Sequence, residues 1–76
     1  MKHFIEIFDG KTEEFVERIE IPASRKEALA NLMNWQAQED EIYVYDLAPE
    51  QLRRLEEWTG KKLEESIYDY QLVCID

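Results

Sequence analysis

The chain has 76 residues, with 18 aspartates and glutamates against 9 lysines and arginines, a formal net charge of −9. One domain fits that length and two do not. A chain this short buries only about 60–65% of the surface its unfolded form exposes, which leaves no room for a deep cofactor cleft beside a core. The acidic balance opposes binding to DNA, RNA or an anionic membrane, because each needs a positive surface. It suits a basic protein partner, a mimic of nucleic acid, or plain solubility. A hydrophobic fraction of 45% argues against disorder.

Residues 3–8, His3-Phe4-Ile5-Glu6-Ile7-Phe8, are β-branched and aromatic and predict a strand. Asp9-Gly10-Lys11 predicts a hairpin turn that uses positive φ. Residues 13–21 predict the second strand, with Phe15, Ile19 and Ile21 on one face and Val16, Arg18 and Glu20 on the other. Pro22 lacks an N–H and ends the ladder. Ser24-Arg25-Lys26-Glu27 has the capping-box pattern, so a helix should start there. Its inward stripe is Leu29, Leu32, Met33 and Gln36. Glu39-Asp40-Glu41 opposes the macrodipole and should stop it by about Gln38.

Residues 41–46 predict a short third strand, with Ile42 and Val44 inward and Tyr43 and Tyr45 outward. Pro49 suits the first position of a second helix, and Leu47 and Leu52 stand at its staple positions. Leu52 and Leu55 face inward, Trp58 or Thr59 extends the stripe, and Gly60 ends the helix. Residues 67–75 predict the last strand. The expected fold class is therefore α+β, a single domain over residues 1–76 in the order ββαβαβ. Two helices would cover one face of a four-stranded sheet and leave the other face open.

The one cysteine, Cys74, excludes an internal disulfide. Secreted domains of this size usually carry disulfide staples, so a cytoplasmic setting is expected. Glu6 and Asp9 interrupt the apolar N-terminus, which speaks against a signal peptide. No stretch approaches the roughly 18 apolar residues of a membrane span.

Enzyme chemistry finds little support. His3 is the only histidine, and no nucleophile motif accompanies it. Cys74 reads as a small buried hydrophobe in an apolar strand. One His and one Cys cannot build a structural zinc site. The acids at 39–41 and 46 lack the ligand spacing and central glycine of an EF-hand. Gly10 and Gly60 are the only glycines, so there is no phosphate loop. No catalytic residue, cofactor or metal is expected.

Charge and tyrosine point elsewhere. Residues 1–38 carry 7 acids and 5 bases, whereas residues 39–76 carry 11 acids and 4 bases. The excess brackets Tyr43, Tyr45, Tyr68 and Tyr70. Tyrosine gives contact area at low entropic cost and is enriched in interface hot spots. Core placement is the expectation for the tyrosines of one of these two strands. Tyr43 and Tyr45 are the surface candidates, with Glu39, Asp40, Glu41, Asp46 and Asp69 as complementary charges.

Phe8-Asp9-Gly10-Lys11-Thr12-Glu13-Glu14-Phe15 resembles the first hairpin of the ribonuclease-type colicin and cloacin immunity proteins, which are small, acidic and mostly sheet. The whole layout resembles a group of short bacterial proteins taken to be toxin-immunity partners. The parts that carry this likeness are Glu20-Ile21-Pro22, Glu41-Ile42-Tyr43, Ala48-Pro49-Glu50-Gln51-Leu52 and Tyr68-Asp69-Tyr70. The resemblance implies a partner-binding inhibitor, and no catalytic residue carries over; the acidic charge makes a basic toxin domain, such as a nuclease, the expected partner. The alternative is a phage-type nucleic-acid mimic that blocks a host nucleic-acid-binding complex. Self-association through an open sheet face or edge is a further expectation.

Overall fold

The computed structural model describes residues 1–75. The elements are β1 (Lys2–Asp9), β2 (Phe15–Glu20), a 3-10 turn (Ala23–Arg25), α1 (Lys26–Leu32), a second 3-10 turn (Gln38–Ile42), β3 (Tyr45–Asp46), α2 (Pro49–Thr59) and β4 (Tyr68–Ile75). The fold is α+β, as expected. The four strands form one sheet in the order β2-β1-β4-β3, and every neighbouring pair is antiparallel. The two terminal strands pair along their whole length at its centre, from Lys2↔Ile75 to Asp9↔Tyr68. Edge strands β2 and β3 flank them.

One face carries the core. Ile5 and Ile7 of β1 and Tyr70 and Leu72 of β4 pack with Leu29 of α1, Leu52 and Leu55 of α2, and Ile21 and Leu63 from connecting segments. Alternation along the strands puts these residues on one side. Tyr70 is buried and Tyr68 packs at the edge of the same cluster, so the tyrosines of β4 belong to the core side. Burial raises the pKa of the Tyr70 hydroxyl, which donates to the Glu64 carbonyl at 3.2 Å.

The hairpin differs from expectation in two ways. The turn is longer than two residues: Asp9 Oδ1 accepts from the Lys11 and Thr12 N–H groups at 2.8 and 2.9 Å. Its left-handed residue is Glu13, with φ of 63°, and Gly10 does not adopt positive φ. Gly10 serves a close approach instead. Its N–H donates to the Ile67 carbonyl at 3.0 Å, and a Cβ there would meet that oxygen at 2.8 Å. Second, Ile7 pairs with Glu17 but Phe8 pairs with Phe15, so Val16 is an extra residue on β2. This bulge reverses the alternation. Phe15 therefore leaves the Ile19 face and meets Phe8 edge-on at 5.9 Å on the open side.

α1 is shorter than predicted. Ser24 lies inside the first 3-10 turn, and among the described residues no side chain caps either segment. The helix ends at Leu32 because Asn34 takes the left-handed conformation, φ 57°. Trp35 N–H then reaches the Ala30 carbonyl at 3.0 Å and Asn34 N–H the Asn31 carbonyl at 3.1 Å. This is a Schellman closure with asparagine in the glycine position. Trp35 and Gln36 thus lie beyond the helix. α2 follows the prediction. Pro49 opens it, Gln51 Oε1 accepts the Ala48 N–H at 2.8 Å, and Gly60 closes it at φ 71°.

The third strand is the largest departure. Only Tyr45 and Asp46 pair, with Leu72 and Gln71. Asp40 prevents a longer strand by accepting the Gln36 and Ala37 N–H groups at 2.8 and 3.0 Å. These contacts fold residues 38–42 into a 3-10 turn and hold the Asp40 carboxyl below its ordinary pKa.

Candidate protein-binding surface

The turn around Asp40 decides which side chains reach solvent. Ile42, Tyr43 and Val44 follow it in succession and are 52%, 56% and 60% exposed. Ile42 and Val44 therefore do not form the inward face predicted for them. Tyr45 takes that position. It packs on the core beside Trp35, ring centroids 6.0 Å apart, and its hydroxyl donates to the Asp40 carbonyl at 2.7 Å. The pairing of Tyr45 with Leu72 forces this, because partners across a sheet share a face. Tyr43 remains exposed, as expected.

The acidic candidates separate. Glu39 is exposed at the start of the turn, and Asp40 is engaged with the backbone. Glu41 turns away from the exposed strip. Its side chain is only 15% exposed and lies 3.8 Å from the Lys26 ammonium. Asp46 and Asp69 both lie on the open sheet face, Asp46 opposite Gln71 and Asp69 opposite Phe8. Gln71 Nε2 donates to Asp46 Oδ1 at 3.3 Å.

The rest of that open face is a mixed ladder. Arg18 donates to Glu6 Oε2 at 2.8 Å and stacks over the Phe4 ring at 5.3 Å. Phe8 and Phe15 form the next row. Other acids are committed to structure. Arg53 binds the Leu63 carbonyl at 2.6 Å, Glu65 at 2.7 Å and Glu56 at 3.1 Å, while Glu56 accepts the Leu63 N–H. These contacts raise the Arg53 pKa through the Glu65 hydrogen bond first. They tie residues 61–66 to α2. Asp9, Asp40, Glu56 and Glu65 thus serve turns and loops. The exposed remainder beside Ile42–Val44 is Glu39 on one side and Asp46 on the other.

Sequence reasoning missed the exposure of Ile42 and Val44. The available signal was Asp40 itself, which can act as a turn-forming acceptor for N–H groups of neighbouring residues. Among the described residues no helix is long and apolar enough to cross a membrane.

The family model described as Domain of unknown function (DUF7683) matches residues 2–73, and the chain belongs to that family. No curated protein and no solved structure matches it.

Proposed function

We propose that this protein is an immunity- or antitoxin-like inhibitor that binds a cationic toxin domain of nuclease type. The observation that carries the reading is the strip Ile42-Tyr43-Val44. Three successive apolar side chains are more than half exposed at the β3 edge, between the carboxylates of Glu39 and Asp46. An exposed apolar patch rimmed by polar residues is a mark of a protein-binding site. An aromatic anchor inside a charged rim is the usual anatomy of a protein interface.

In this mechanism the net charge of −9 steers a basic partner and raises the association rate. Tyr43, with Ile42 and Val44, supplies the slow dissociation. Asp46 and Asp69 extend the charged rim across the open sheet face, and Glu39 extends it on the turn. Glu41, Asp40 and Tyr45 support the strip from behind.

The test is binding to a panel of cationic nuclease toxin domains by biolayer interferometry. Tyr43→Ala should weaken the cognate complex by about thirtyfold or more, the roughly 2 kcal/mol of a hot-spot residue. Asp46→Asn should mainly lower the on-rate and its salt dependence. A triple Ile42→Ala, Tyr43→Ala, Val44→Ala variant that binds as tightly as the parent would reject the surface. Equal competition against duplex DNA for unrelated DNA-binding proteins would favour the mimic instead.

A further inference from the structure

We propose that His3, Glu41 and Cys74 form a binding site for a zinc-class divalent cation. His3 and Cys74 are direct cross-strand partners on β1 and β4. The second 3-10 turn brings Glu41 over them. One ligating atom from each residue, nitrogen, oxygen and sulfur, lies within 4.8 Å of the other two. Donors around one tetrahedral zinc stand roughly 3.3–3.6 Å apart, given metal–ligand bonds of about 2.0–2.3 Å. Metal binding would draw the donors together by side-chain rotation.

A second, independent observation points to a ligand. His3 is 5% exposed, and its Nε2 has no hydrogen-bond partner among the described residues. Buried polar atoms are normally satisfied, and a bare one is destabilising. A cation would satisfy the imidazole. Glu41 is likewise poised, because its mostly buried carboxylate stands 3.8 Å from the ammonium of Lys26, a half-exposed side chain able to withdraw. The Met1 sulfur stands 3.1 Å from Cys74 Sγ and adds a further soft atom to the surroundings. Trp35 Nε1, the other buried polar atom without a partner among the described residues, is a donor and takes no part in coordination.

The donor set chooses the metal. Imidazole with thiolate favours zinc over magnesium or calcium, which prefer oxygen. Three protein ligands leave a fourth position for water or an incoming group. The three residues are 38 and 33 positions apart in the chain. Spacing motifs therefore cannot display them, and counting His and Cys alone overlooks the carboxylate. Glu41 directly precedes Ile42, but its carboxylate is turned from the Ile42–Val44 strip, and metal binding does not depend on the inhibitor reading.

The experiment uses the full chain, stripped with chelator and titrated with Co2+ and then Zn2+. Co2+ should give a near-ultraviolet thiolate charge-transfer band and tetrahedral bands in the visible, and Zn2+ should displace both. Trp35, whose ring centroid is 5.7 Å from that of His3, should be quenched by Co2+ in a Trp58→Phe background. Loss of a group that merely orients a ligand already costs about 10–100-fold in affinity, so Cys74→Ser and Glu41→Gln should each weaken Zn2+ by about 100-fold or more. His3→Gln is the third variant, and circular dichroism confirms that each one folds. Glu57→Gln, on the exposed side of α2, should bind as the parent does. Affinity should fall on acidification, as the thiol and imidazole protonate. Absence of the thiolate band, or Zn2+ affinity unchanged by both Cys74→Ser and Glu41→Gln, would overturn the proposal.

Discussion

Gly10→Ala probes the junction that joins the hairpin turn to the loop before β4. Its N–H donates to the Ile67 carbonyl at 3.0 Å, and an added Cβ would stand 2.8 Å from that oxygen and 3.3 Å from its carbon. The obstacle is backbone, so it cannot rotate aside. Losing the hydrogen bond costs about 0.5–1.5 kcal/mol. Displacing packed backbone costs about 1–3 kcal/mol more. Restricting the unfolded chain returns about 0.4–1 kcal/mol. The net is about 2 kcal/mol of destabilisation, or roughly 8–16 °C in Tm for a domain of this size. Urea and thermal unfolding followed by circular dichroism would measure it. Gly60 supplies the contrast, because it has φ of 71° and a Cβ added there would meet no atom of the described residues within 4 Å. Gly60→Ala should cost about 1–2 kcal/mol from its left-handed backbone alone, and Gly60→Asn less. Gly10→Asn should not be milder than Gly10→Ala. A Gly10→Ala change within about 0.5 kcal/mol of the parent, the range of an ordinary surface substitution, would refute the close-approach argument.

Two further outcomes follow from local geometry. Asn34 closes α1 at φ 57°, so Asn34→Gly should leave urea stability within a few tenths of a kcal/mol, whereas Asn34→Ala should lose about 1 kcal/mol. Burial lowers the His3 pKa below 6.5, against the opposing influence of Glu41 and with smaller help from Lys26 and the N-terminus. The folded state thus disfavours the protonated ring. This contribution is fully present above pH 6.5 and is lost as the pH falls from there through the folded-state value. In chelator, parent stability should decline over that window and His3→Phe should decline less. Identical pH profiles would show that His3 does not titrate in the fold.

Local patterns determined much of this molecule. The terminal strands, α2 and the order of elements were legible because alternation, Pro49, the Leu52–Leu55 spacing and Gly60 act within a few residues of themselves. The acidic second half was legible by counting. Other features depended on partners distant in sequence. Phe15 changes face because a bulge opposite Ile7 and Phe8 absorbs Val16. Tyr45 turns inward because its partner is Leu72, and Ile42, Tyr43 and Val44 are displaced outward beside it. Gly10 is glycine because of Ile67, and not because of its own φ. His3, Glu41 and Cys74 meet only when the two chain ends pair at the sheet centre and the Asp40 turn folds over them. Periodicity encodes which residues can be apolar together. Register, bulges and chain crossings decide which of them touch, and those are set by the whole fold.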